Sequence, residues 1–288
     1  MKHFLFLISN FLVYHLTFAQ NLPSDDLALG TKLWGNSSVR WDLNSKFSVF
    51  AEPIFGYNFS KRRFEFFQTD LKLYYRPTTD ISFGLSYKPI FIIGSTTTKR
   101  YDRPYAEVVY RHRILKQKLK LKHTLFAEAF FPNLPKYRYR FCYGLNIYSP
   151  KNISLGDLAL TPFIKGEIYY YLGGDPVSYY SYDADNNPNL LARNAPNDFH
   201  RFRFLAGFTS KPFKFMRFTM YYLYQREFNT PFTTNRELNV LSKGQSFYKI
   251  PFNNFHTIGF EIEFVVKKKK KKDFESDYND VYPPLDKL

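Results

Sequence analysis

Residues Tyr137–Tyr148 read YRYRFCYGLNIY. Tyr137, Tyr139, Phe141, Tyr143, Leu145 and Ile147 share one parity; Arg138, Arg140, Cys142, Gly144 and Asn146 share the other. Successive side chains of a strand point to opposite faces, so this period of two describes one strand with a greasy face and a polar face. The direction of the greasy face then decides the fold. A soluble barrel turns it inward, whereas a membrane barrel turns it to lipid and keeps polar groups in the lumen. On the second reading the arginines face inward carboxylates such as Glu128 or Glu167.

The same alternation runs along the chain. In Leu119–Phe131, Leu119, Leu121, His123, Leu125, Ala127 and Ala129 oppose Lys120, Lys122, Thr124, Phe126 and Glu128. Further strands are read at 46–57, 81–93, 104–114, 199–209, 213–225 and 255–266, and at about 29–41, 63–75 and 158–171. No amphipathic helix of useful length is legible. Short connections alternate with long ones at Gly94–Arg103, Leu172–Asp198 and Glu227–Asn254, as in barrels with short periplasmic turns and long external loops. The fold expected is all-β: an antiparallel transmembrane β-barrel of about 10–12 strands, the count being even as in bacterial single-chain barrels. A soluble exported barrel or sandwich is the alternative.

Composition agrees. Phe and Tyr number 33 and 24 in 288 residues, and mean hydropathy is −0.39, which excludes a helical membrane protein. The N-terminus, MKHFLFLISNFLVYHLTFAQ, has a basic start, an apolar run and small residues at Thr17 and Ala19. It reads as a signal peptide, residues 1–19, cleaved near Ala19, ahead of a barrel over 20–266. The expected location is the outer membrane of a Gram-negative bacterium. Export argues against nucleic acid as the partner of the +16 net charge, part of which is the run Lys267–Lys272. Residues 267–288, basic and then acidic, read as a solvated periplasmic tail.

The final strand holds TIGFEIEF, Thr257–Phe264. Thr257, Gly259, Ile262 and Phe264 resemble the C-terminal signal read by the barrel-assembly machinery, which that resemblance makes a partner beside outer-membrane lipid. The signal usually ends a chain, and here a tail follows it. Up to Val266 the mature chain also resembles a Bacteroidetes outer-membrane β-barrel family of unknown function. The carriers are Lys32-Leu33-Trp34, RPYAEVVYRHRI from Arg103, and the pair of strands bearing Glu128 and Tyr137-Arg138-Tyr139-Arg140. That family implies no catalytic residues.

Parity assigns a luminal charge network to Glu107, Arg111, Arg113, Glu128, Arg138, Arg140, Lys165, Glu167, Arg201, Arg203, Arg217, Glu261 and Glu263. Buried charges must pair or stay hydrated. The network either holds the barrel shut or forms a narrow conduit for small anions, which Arg binds through its planar fork. The main expectation is therefore a structural or narrow transport or binding role without enzymatic chemistry. A lipid-modifying enzyme is the alternative. It would need a serine and a histidine at the outer rim, and His112, His123, His200 and His256 all carry the apolar parity. Ser178, Ser181 and Ser246 stand at no motif spacing. Cys142 is single, the histidines lack ligand spacing, and Gly173-Gly174 is a turn signal, so no metal or cofactor is expected.

Overall fold

The computed structural model describes residues 30–59, 61–94, 96–115, 119–134, 137–156, 158–174, 177–185, 187–194, 197–227, 240–241, 248–249 and 254–267. The expected signal peptide and the tail beyond Lys267 lie outside them, as does Ser246.

Eleven strand positions form one closed barrel. In chain order they are β1 (Gly30–Asp42), β2 (Phe47–Asn58), β3 (Arg63–Tyr75), β4 with β5 (Ile81–Tyr87 and Ile90–Ile93), β6 with β7 (Thr98–Tyr101 and Pro104–Ile114), β8 (Leu119–Leu134), β9 (Tyr137–Tyr148), β11 (Leu158–Leu172), β14 (Asp198–Phe213), β15 (Met216–Glu227) and β18 (Phe255–Lys267). β10 (Ile153–Leu155) pairs with β11 outside this circuit. The hairpins β12–β13 (Val177–Tyr182, Pro188–Asn194) and β16–β17 (Val240–Leu241, Tyr248–Lys249) lie within the two longest connections.

β4 and β5 are halves of one barrel strand. Tyr87 faces Leu71 and Ile90 faces Gln68, so the register against β3 runs unbroken past Pro89, which lacks the N–H a ladder needs. β6 and β7 are likewise one strand. Gly94–Arg103 is therefore not the long loop that the sequence suggests: Thr98–Tyr101 pairs with Ile90–Ile93 around a tight turn in which the Gly94 N–H bonds the Thr97 carbonyl at 2.8 Å.

The odd count has one consequence for closure. In an up-and-down barrel directions alternate, so a first and an eleventh strand run the same way. β1 and β18 accordingly pair in parallel, from Gly30↔Phe255 to Asp42↔Lys267, while the other barrel pairs are antiparallel. The expectation of an even, wholly antiparallel barrel is corrected at this one seam. Short turns such as residues 43–46 and 214–215 mark one end of the barrel. The connections at 173–197 and 228–254 mark the other.

The faces are inverted relative to a soluble protein. Asp70, Glu263 and Glu128 are 1%, 4% and 5% exposed, whereas Leu85, Leu125 and Trp41 are 66%, 57% and 53% exposed. Large apolar side chains stay outside only where the solvent is hydrocarbon. That overturns the soluble alternative and makes this an outer-membrane-type β-barrel. The strands, mostly 11–16 residues, exceed the roughly 9–11 that a tilted strand needs to span a bilayer.

Candidate functional site in the barrel lumen

The inward row of each strand supplies the lumen. On β3, β4 and β7 it brings Asp70, Lys72, Lys88, Tyr105 and Glu107 together. Lys88 Nζ lies 2.8 Å from Asp70, and Lys72 Nζ lies 3.1 Å from Glu107. Tyr105 donates its hydroxyl to Glu107. The register explains this grouping: Lys72 faces Ser86, and Glu107 faces Gly84 one row on. A Cβ at Gly84 would meet Glu107 Cγ at 2.9 Å, so glycine makes room for the carboxylate.

A second group spans β6 to β15. Glu128 directly faces Arg140, and the two pair as Arg140 Nη2 and Nε reach one carboxylate oxygen. Arg103 approaches the other at 3.7 Å and donates to Gln68 on β3, which links the two groups. Glu167 takes Lys165, accepts the Tyr169 hydroxyl at 2.6 Å and has Arg203 at 3.8 Å. Arg201 and Glu227, register partners on β14 and β15, bond at 3.0 Å through Nε. Aromatic rings fill the gaps between these ions. Tyr169 lies 5.2 Å from the Arg140 guanidinium and 5.1 Å from that of Arg203. Such cation–π contacts gain strength where water is excluded.

The third group closes the seam at the turn end. Glu263 takes Arg40 at 2.8 Å and Arg217 at 2.5 Å, tying β18 to both neighbours. Glu261 lies within electrostatic reach of Arg217 on β15 and of Lys122 and Lys165 on more distant strands. Arg111 donates to Ser82 at 3.1 Å, and Arg113 is exposed at the rim. Outside the membrane, the Asp183 carboxylate is held below its usual range by bonds from Asn187 and from the Asp185 N–H.

Three placements differ from the sequence reading. Arg138 has inward parity but is exposed; its side chain packs beside Gly173. Tyr137 has outward parity but is buried, its ring 4.1 Å from Tyr171 and 5.0 Å from Phe130. The cause is an irregular register between β8 and β9 from Ala129 to Leu134, which resets parity at the start of β9. His200 has apolar parity but is buried, its ring 5.3 Å from Tyr171, because a bulge between Tyr169 and Tyr170 leaves it as the extra residue. Among the described residues, the other histidines lie on the outer wall. His112 and His123 stack at 5.0 Å, and His256 bonds the Tyr222 hydroxyl. Thr257 and Gly259 face inward and Ile262 and Phe264 outward; the Tyr221 ring lies over Gly259 where a Cβ would stand.

No family model matches the chain, and no curated protein matches it. Among solved structures, LpxR from Salmonella typhimurium is similar with a TM-score of 0.42 and 9% identity, over 66% of this chain and 80% of that one. A likeness at this identity concerns the fold alone. The expectation of a role without enzymatic chemistry is withdrawn: it rested on the absence of a recognisable serine spacing, and such an absence excludes no chemistry.

Proposed function

We propose that this chain is a sealed outer-membrane barrel whose working surface is its outer wall, and that it handles membrane lipid. One observation carries the reading: side chains from strands that are not neighbours meet across the lumen. The Arg203 guanidinium on β14 lies 5.5 Å from the Trp34 ring on β1, with β15 and β18 between them. The Phe126 ring on β8 lies 6.0 Å from that of Tyr169 on β11. Leu205, Leu223 and Phe255 pack with Trp34, Phe163 and Tyr221 from five strands. A small barrel filled in this way is a packed core. The Thr257–Phe264 strand is then the segment offered to the assembly machinery.

Planar-bilayer recording of the refolded barrel tests this. Silence is expected from wild type. A steady anion-selective current that weakens in Arg203→Ala would establish the conduit instead.

A second reading, covalent modification of lipid, draws support from His200. It sits at the long-loop end against Tyr171, whose hydroxyl donates to Glu227 at 3.3 Å. Mass spectrometry of an outer-membrane lipid extract incubated with the barrel is the test. Acyl release that disappears in His200→Ala and survives in His112→Ala would establish it.

A further inference from the structure

The outer wall is not uniformly studded with large side chains. Along β6–β7 the outward positions run Arg100, Asp102, Pro104, Ala106, Val108 and Tyr110. On β8 the matching positions are Phe131, Ala129, Ala127 and Leu125. Pro104, Ala106, Ala127 and Ala129 thus form a floor two strands wide. Leu85 on β4 and Tyr139 and Phe141 on β9 rise beside it as walls, 66%, 47% and 39% exposed. The resulting open groove has a volume of about 490 Å³, within the roughly 300–1,000 Å³ of ligand sites.

A polar cluster stands at the long-loop end of this groove. Arg100 Nε and Nη2 lie 3.0 and 2.8 Å from Asp102 Oδ1, and Tyr87 donates its hydroxyl to the same oxygen. Arg100 Nη2 also meets the Tyr87 hydroxyl at 3.0 Å. Asp102 follows Pro104 on the same outward line, about 7 Å further along the strand. The guanidinium is held there by these bonds, and the Arg100 side chain as a whole remains 56% exposed. Lys99 has the opposite parity on this strand, so the exposed Arg100 side chain is the cation that the cluster presents at the end of the groove.

The geometry points to a specific lipid site: one acyl chain lying in the groove, with a phosphate-bearing headgroup against Arg100. The occupant follows from the surroundings. The floor opens onto the lipid-facing belt, where hydrocarbon is the solvent. A guanidinium at the headgroup end of an apolar slot matches an anionic lipid in both charge and polarity. This deepens the reading that the outer wall is the working surface, and it rests on that reading.

The test is native mass spectrometry of the refolded barrel, released from micelles doped with equal amounts of phosphatidic acid and phosphatidylcholine of the same chain length. Wild type is expected to retain one phosphatidic acid. Ala127→Trp, which fills the floor from outside the packed lumen, is expected to lose it by about tenfold or more, while Ile164→Trp on β11 keeps it. Arg100→Gln is expected to retain both lipids equally, the loss of a charged hydrogen bond being worth roughly a tenfold preference. Heat-modifiable gel mobility confirms that each variant is folded. No retained lipid in wild type, or equal retention in Ala127→Trp, overturns the site; an unchanged preference in Arg100→Gln overturns the headgroup assignment. An ion current from the lumen would instead overturn the sealed-barrel reading and leave the groove standing.

Discussion

Arg138 and Arg140 share a parity and a sequence neighbourhood, yet the barrel treats them differently. Arg140 is 7% exposed, paired with Glu128 and surrounded by the rings of Phe130, Tyr137 and Tyr169. Arg138 is exposed beside Gly173. Removing one partner of a buried pair leaves an uncompensated charge, typically at roughly 3–5 kcal/mol. Arg103 at 3.7 Å from Glu128 offsets part of that, so Arg140→Ala should cost about 2–4 kcal/mol, measured by urea unfolding of the barrel in lipid vesicles. Arg138→Ala should stay within about 0.5 kcal/mol, as for exposed surface changes. Equal losses in the two variants would mean that parity, not burial, sets the cost. Alternation in the sequence placed both arginines on one face. It could not show the irregular register that resets β9 at Tyr137, because a bulge depends on the partner strand and leaves no periodic trace. The same blindness put His200 on the wrong face.

At the level of elements, period two located the strands well, because hydrocarbon outside and charge inside enforce alternation residue by residue. Closure was not legible. A count of about eleven invited rounding to an even number, since the sequence of β1 does not say whether its partner runs with it or against it. Here Lys32–Asp42 lies between antiparallel β2 and parallel β18, and Arg40 reaches across the seam to Glu263. The parallel register is testable by cross-linking. Ser37 and Ile262 are register partners on the outer face. In a Cys142→Ser background, Ser37→Cys with Ile262→Cys should oxidise to a disulfide, because neighbouring strands lie about 4.8 Å apart. Ser37→Cys with Ile258→Cys, four residues or roughly 13 Å out of register, should not. Cross-linking of the second pair in preference to the first would rule out the parallel seam.

For the whole molecule, an odd strand count sends the two chain ends of the barrel to opposite rims. Gly30 lies with the long connections, and Lys267 lies with the short turns. Outer-membrane barrels carry long loops outside the cell and short turns in the periplasm, so the β12–β13 hairpin should be external and residues 43–46 periplasmic. The only native thiol, Cys142, is buried in the lumen, 2% exposed, and gives no background to a maleimide. A membrane-impermeant maleimide added to intact cells should therefore label Asp185→Cys in the hairpin turn. It should leave Ser45→Cys dark until the outer membrane is permeabilised. The reverse pattern would turn the barrel over. Arg100 would then meet periplasmic-leaflet headgroups, although the groove below it and the sealed lumen would be unchanged. Orientation is thus independent of the packing that closes the barrel, and it decides which leaflet supplies the lipid.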